Sequence, residues 1–343
     1  MIRRLTSADR AAYALFRRQL WPYHSGAGHW EALEVKYYLN PLSSDCPESG
    51  VYGCFEGERL CGIMGAHPFP VTLAGVVYPG HLLVDWAVLP EFRLSRTTGR
   101  LWYELLQLPG RKYGSHGSPG TQRPLQNRAA KIGAVQCVGL IRPIHAIAAK
   151  FLHVYNYKYP SPFFLDQLET TPGVQLIEGR QVRSAAPPVS ETTAWVHRGT
   201  DFWELYCSAR IFNGAIPLRI RSEDGEADLV LDFCETGPSF RYATLLSAQF
   251  VPYTPGCARS VGRLLGRFLG RLNVSLIIAT EADAELTALV NSAAWHVRRV
   301  HTHWWVIPKE SDTFRHDSVS WWLTSAERDS HFGGTQPWTW RDA

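Results

Sequence analysis

The sequence lacks a cysteine framework: its seven cysteines, at positions 46, 54, 61, 137, 207, 234 and 257, form no C-x-x-C pair. That argues against both a thiolate zinc site and a disulfide scaffold, and fits a reducing compartment. It has no run of about 18 apolar residues able to span a bilayer, and no signal-peptide core follows Met1-Ile2-Arg3-Arg4. A cytoplasmic protein with no membrane partner is therefore expected. Charge of one sign is not in excess: 35 Lys and Arg face 31 Asp and Glu, a formal +4, so nucleic acid is not expected as a partner. The Gly/Ser-rich Tyr113–Gly120 contains no G-x-S-x-G, which excludes a hydrolase nucleophile elbow there. His301 and His303 alternate as two ligands on a strand would, but no third ligand is specified, and no metal is expected.

What the chain has is length, 343 residues, and a repeating order of elements. Ile2–Leu5 reads as a strand and is followed by a helix capped by Ser7 or Asp9, with Tyr13, Leu15, Phe16 and Leu20 as its apolar face. Val51–Phe55 and Leu60–Ala66 flank a turn at Glu56-Gly57-Glu58-Arg59, which predicts an antiparallel pair. Leu82–Val88 is a nearly continuous apolar strand interrupted by Asp85, as expected of a central strand. A polar loop follows Pro90, and Leu101, Trp102, Leu105 and Leu106 recur at helical spacing. Tyr113–Ser118 reads as a strand, Gln122–Ile132 as a helix ending at a Gly133 cap, and Val135–Leu140 as a strand.

Proline-rich breaks between 158 and 192 mark a linker between domains at 1–157 and 193–343. Beyond it the order recurs: strands Leu218–Ser222, Ala227–Phe233 and Tyr242–Val251, helix Ser260–Leu272, strand Val274–Ala279, helix Ala284–Ala294 and strand Val300–Ile307. Leu89-Pro90 and Thr98-Gly99-Arg100-Leu101 align with Val251-Pro252 and Val261-Gly262-Arg263-Leu264, which suggests an internal repeat. In the second helix Arg259, Arg263, Arg267 and Arg271 recur every four residues, as do Gly262, Gly266 and Gly270; the glycines suit packing on a sheet and the arginines a solvated face, with phosphate or nucleic-acid binding by the arginine stripe as the alternative. The thirteen tryptophans, among them Trp304, Trp305, Trp321, Trp322, Trp338 and Trp340, read first as core and tail packing.

The stretch from Asp85 to Leu101 carries the most chemistry. A buried strand there runs through a short loop into a helix N-terminus, whose unsatisfied N–H groups and dipole favour an anion such as phosphate. Arg93, Arg96 and Arg100 add full positive charges. The alternative is a solvated basic turn with Thr97 or Thr98 as the helix cap.

This stretch resembles the GNAT superfamily of acetyl-coenzyme A dependent N-acyltransferases. Val88-Leu89-Pro90-Glu91-Phe92-Arg93 matches the V-x-P-x-[YF] lead-in to the family's pyrophosphate motif, R/Q-x-x-G-x-G/A. Arg96 and Thr98 stand at the two glycine positions, and Gly99 follows. The resemblance covers most of residues 1–140, including Tyr38-Leu39-Asn40-Pro41 and Ala129-Ala130-Lys131-Ile132-Gly133. It implies an α/β fold, a mixed α+β sheet, in two GNAT-like lobes, each a mostly antiparallel central sheet flanked by helices. The second lobe would be degenerate and bind no coenzyme. It further implies an acyl-CoA-dependent N-acyltransferase, acetyl-CoA or another acyl-CoA being the cosubstrate and a primary amine of a small molecule the acceptor. Two-lobed relatives suggest an amino sugar or cell-envelope precursor.

Ala87, Val88, Arg93, Leu94, Ser95, Arg96, Thr97, Thr98, Gly99 and Arg100 would bind the coenzyme. Asp85, with His81 second, would be the general base, because amine attack requires a neutral nitrogen. Ser115, His116 and Ser118 would line the acceptor pocket. The family's tyrosine general acid is here Ala129. A catalytically inactive binding or scaffolding protein on the same fold is the alternative.

Overall fold

The computed structural model describes residues 1–20, 29–93, 96–115, 130–142, 167–183, 192–208, 215–236, 240–281, 283–307 and 320–322. The chain folds into two compact units: residues Met1–Ile132, Ser190–Val196 and His303–Ser320, and residues Gly133–Val189, His197–Thr302 and Trp321–Ala343. A single cut at 158–192 does not describe these units. Trp304–Ile307 pair with Lys112–Ser115 of the first unit, a contact 189 to 195 residues apart in sequence that no local composition signals.

In the first unit β1 (Ile2–Arg4), β2 (Gly50–Glu56), β3 (Arg59–Pro68), β6 (Gly80–Val88) and β7 (Arg111–Ser115) are neighbours in that order. The pairs are antiparallel except β6 with β7, which is parallel. The β2–β3 turn forms where expected, around Gly57 at φ 60°. A small hairpin, β4 (Val71–Leu73) and β5 (Val76–Tyr78), turns through Ala74 and Gly75, both at positive φ, as a two-residue loop between twisted strands requires.

Helix α1 (Arg10–Leu20) buries Tyr13, Phe16 and Arg17, whereas Leu15 is 53% exposed. Positions 13, 16, 17 and 20 form the i, i+3, i+4, i+7 stripe, and residue 15 lies some 200° from residue 13. Thr6, one residue before the expected caps, takes the cap position of the turn Ser7–Asp9 that leads into α1.

Asp9 accepts Thr6 N–H at 2.9 Å and both Arg3 Nη atoms, at 2.6 and 2.5 Å. The Arg3 guanidinium holds the Asp9 carboxyl down at about 2, from an ordinary 3.8. A depressed folded-state pKa stabilises above the unfolded value and is lost as pH falls through the folded one. Because Arg3 is 38% exposed, solvent screens the pair, and about 1–2 kcal/mol should be lost between pH 3.8 and 2. Urea melts over that range should show a smaller acid-dependent loss in Asp9→Asn than in the wild type.

In the second unit the order is β9 (Val174–Leu176), β11 (Ala215–Ser222), β12 (Gly225–Thr236), β13 (Phe240–Val251), β14 (Val274–Glu281) and β8 (Ala130–Leu140). Again one internal pair, β13 with β14, is parallel, and a helix connects it, α5 (Pro255–Arg271). The expected helix 122–132 is corrected by β8: Ala130–Ile132 are strand, and Gly133 lies inside it rather than capping a helix. Residues 122–129 lie outside the described residues. Ala-Ala-Lys-Ile is too short an apolar run to separate helix from strand, and pairing of Val135–Leu140 with β14 decides for strand.

Gly262 and Gly266 do not pack on the sheet as expected. A Cβ on either would lie 2.4 and 2.3 Å from the carbonyls of Leu289 and Ala293 on α6 (Ala284–Ala293), so they let two helices approach. Helix α4 (Thr200–Ser208) buries Phe202, Trp203 and Tyr206. Trp304 and Trp305 are core residues, and Trp304 stacks on Phe69 at 6.1 Å. The side chains of Trp321 and Trp322, and residues Trp338 and Trp340, lie outside the described residues. The six described cysteines are free thiols.

Candidate active site

The site builds up around an irregularity in β6. Ile63 pairs with Ala87 and Gly65 with Val84, so Asp85 and Trp86 together oppose the single residue Met64. This is a β-bulge, and Asp85 adopts φ 53° in it. Aspartate is one of the few non-glycine residues that enters the left-handed region readily. The polar interruption of the apolar strand is thus the bulge residue itself.

The bulge presents the Asp85 carboxylate to a segment the sequence reading did not assign. The short helix α2 (His29–Leu33) runs into a π-helical turn, Glu34–Tyr38, a form that recurs at functional sites. Lys36 Nζ donates to Asp85 Oδ2 at 2.8 Å, and Tyr37 Oη donates to the same oxygen at 2.6 Å. Lys36 is 2% exposed, while the Asp85 side chain is 29% exposed. One oxygen is therefore held by a buried cation and a phenol. Among the described residues nothing bonds Oδ1.

Gly65 makes this possible: a Cβ there would lie 1.9 Å from Tyr37 Oη. Behind the turn, Asn40 Nδ2 donates to Lys36 O at 3.1 Å and lies 3.4 Å from His67 Nε2, and His67 meets the Tyr37 ring edge-on. Tyr13 accepts from Arg17 at 3.3 Å, and burial pushes its phenol above the ordinary value.

Past Asp85 the strand opens. The parallel register with β7 covers Gly80 to Leu82 only; among the described residues, Leu83, Val84, Ala87 and Val88 have backbone ladder partners on the β3 side alone. Ligands of open sheets with parallel strands settle in such a crevice, at a strand's carboxyl end. Leu89 leads into a turn at Pro90–Phe92, and α3 (Arg96–Gln107) follows. Arg93, Arg96, Gly99 and Arg100 are exposed, and the first turn of α3 contains no acid. Arg93 Nε donates to Val88 O at 3.3 Å, tying the loop to the strand end. A Cβ on Gly99 would meet nothing within 4 Å.

The opposite face of α3 is fixed by burial of Leu101 and Leu105 and by Trp102 stacking on Trp86 at 5.7 Å. Just past its end sits Lys112, whose Nζ donates to the carbonyls of Leu108 and Gly110, each at 2.6 Å. That places a cation at the negative end of the helix dipole.

The structure thus brings Asp85, Ala87, Val88, Arg93, Arg96, Gly99 and Arg100 into one strand–turn–helix. His81 lies on the same strand opposite Pro68 and Lys112, 1% exposed. Thr97 and Thr98 fall on α3 and Ser115 on β7, but their side chains, like those of His301 and His303 on β15 (His296–Ile307), lie outside the described residues, as do Leu94, Ser95, His116 and Ser118. Lys36 and Tyr37 were missed because their contacts with Asp85 span 49 and 48 residues. The one local signal was a lysine set between Val35 and Tyr37.

Residues 1–108 match the family model of the acetyltransferase (GNAT) domain. No curated protein sequence matches the chain. Among solved structures, a probable N-acyltransferase of Enterococcus faecalis V583 is 14% identical over 89% of this chain and 71% of its own, with a TM-score of 0.53. A GCN5-related N-acetyltransferase of Anabaena variabilis is 12% identical over 89% and 72%, TM-score 0.50. Saccharomyces cerevisiae N-myristoyltransferase, solved with myristoyl-CoA and inhibitors, is 9% identical over 90% and 79%, TM-score 0.51. At such identities these likenesses speak for the fold. Residues 1–108, which hold the bulged strand and the basic helix start, thus match the GNAT domain model within a chain of GNAT-like fold.

Proposed function

We propose that the chain is an acyl-CoA-dependent N-acyltransferase that moves an acyl group, acetyl in the first instance, to a primary amine of a small molecule, an amino sugar or cell-envelope precursor being the class to try first. One observation carries this reading. The exposed Arg93, Arg96 and Arg100 surround an acid-free helix start directly after a strand whose backbone opens beside the Asp85 carboxylate.

These residues fit a coenzyme. The arginines and the amides of the first turn of α3 suit a pyrophosphate, and the open edge at Ala87 and Val88 suits an amide-bearing arm. A bound acyl-CoA would supply an activated thioester, whose C–S bond breaks as the amide C–N bond forms, the departing thiolate taking its proton from solvent. Asp85 Oδ1 accepts a proton from the attacking amine, directly or through water, while Lys36 and Tyr37 fix Oδ2 so that one lone-pair direction faces the acceptor. Ser115, His116 and Ser118 are proposed for the acceptor side.

The second unit repeats the strand, helix and parallel strand, and we read it as a degenerate GNAT-like lobe. Its helix start is already used: Thr254 Oγ1 accepts Cys257 N–H at 3.3 Å, and Pro255 offers no donor. Arg96 and Thr98, where the family has glycines, favour the second reading, a non-catalytic binding protein on the same fold.

Calorimetric titration of the full chain with acetyl-CoA separates the two. Binding at one site in the micromolar range supports the enzyme and leads to an amine screen read by thiol release. No heat at millimolar ligand overturns it and leaves the binding protein.

A further inference from the structure

We infer that the arginine row of α5 is a docking surface for a phosphodiester backbone, a nucleic acid held by charge. The even net charge of the chain gives no hint of it, but its local distribution does. Arg259, Arg263, Arg267 and Arg271 are all exposed, and the seventeen residues of α5 include no Asp or Glu. By contrast, seven arginines elsewhere are neutralised: Arg3, Arg10, Arg59, Arg180, Arg183, Arg219 and Arg221 each meet a carboxylate. Among the described residues none of the four in the row does. Arg263 donates to Ser260 Oγ and Arg271 to Thr171 Oγ1, each at 2.9 Å. Asp224 is engaged by Ser260 Oγ rather than by an arginine.

Just past the helix end, exposed Arg142 donates to Asn273 Oδ1 and adds a further charge near its C-terminus. At 1.5 Å per residue the four arginines span about 18 Å, too long for one small anion and suited to a regular polyanion. Like charges at i, i+4 repel one another, a cost that a phosphate chain removes. The guanidinium fork matches phosphate oxygens two at a time. A lipid surface fits less well, because interfacial helices turn apolar residues outward. Here Val261, Leu265, Phe268 and Leu269 are all buried in the unit's own core.

The test is fluorescence anisotropy of the full chain with a labelled duplex DNA and a labelled single-stranded RNA, each about 30 nucleotides long, from about 50 to 200 mM salt. Four phosphate contacts predict a slope of log K against log salt near −3.6 on the duplex, about a hundredfold weakening over that range. The variant R259Q/R263Q/R267Q/R271Q should lose most of that slope and at least tenfold in affinity at low salt. A control removing four other exposed charges, R10Q/R18Q/R180Q/R221Q, should bind within about threefold of wild type. Should the quadruple variant fail to fold by circular dichroism, R263Q/R267Q should lose half the slope. Absence of binding to both probes at 50 mM salt, an equal loss in the control, or binding to phosphatidylserine vesicles but to neither nucleic acid would each overturn the proposal.

Discussion

Replacing Asp85 with alanine is expected to cost about 3 kcal/mol of unfolding free energy and at least a hundredfold in the acyl-transfer rate proposed for this site. The two losses have separable causes. Lys36 is 2% exposed and donates to Asp85 at 2.8 Å; taking away that carboxylate leaves a buried ammonium without the anion it donates to, which typically costs several kcal/mol. The Tyr37 hydroxyl loses its acceptor, and alanine is less at ease than aspartate at φ 53°. Because Asp85 is 29% exposed, water reaches the cluster, and the sum belongs at the lower end of that range.

Asp85→Asn separates the terms. Asparagine tolerates the left-handed backbone and still accepts from Tyr37, so it should lose about 1–2 kcal/mol and yet as much rate as alanine. The double variant Lys36→Met/Asp85→Ala should recover most of the stability and none of the rate. Urea denaturation and single-turnover kinetics read the two quantities. An Asp85→Ala protein as stable as wild type would show that Lys36 does not depend on this carboxylate.

The same cluster shows what was legible in the sequence and what was not. Asp85 could be picked out as a polar residue inside an apolar strand, and the hairpin at Gly57 and the passage from Val88 through Pro90 into α3 follow from local turn and cap chemistry. The bulge could not be read, because it arises from the register of β6 against β3, set by pairs 19 and 24 residues apart. Lys36 and Tyr37 could not be assigned, since nothing near them in sequence names Asp85 as their partner. Gly65 carried no local signal either, though a side chain there would collide with Tyr37.

Errors elsewhere have the same origin. Ala130–Ile132 read as helix, yet they open β8, whose later residues Val135–Leu140 pair with β14, and Gly262 and Gly266 were given a sheet to pack on when their neighbour is α6. The α5 arginine row was visible from its spacing alone. Its lack of carboxylate partners was not, because that depends on where every other acid in the unit goes.

Changing Arg93, Arg96 and Arg100 together to glutamine should weaken acetyl-CoA binding by about a hundredfold. All three side chains are exposed, so each contributes less than a buried charge-assisted bond, about 1 kcal/mol, and three make the hundredfold. Exposure also predicts that the fold survives: Leu101, Leu105 and Trp102, which seat α3 on the sheet, are untouched, although the 3.3 Å bond from Arg93 to Val88 O is lost. Calorimetry of the variant beside the wild type measures the change, and thermal melting checks the fold.

Replacing the same three with lysine keeps charge but loses the fork, and should cost only a few-fold. If charge were the whole effect, the lysine variant would match wild type. If the amides of the first turn of α3 carried the phosphate alone, the glutamine variant would bind as wild type does. A loss in glutamine with partial retention in lysine is the pattern that assigns the pyrophosphate to this helix start, despite Arg96 and Thr98 standing where the family places glycine.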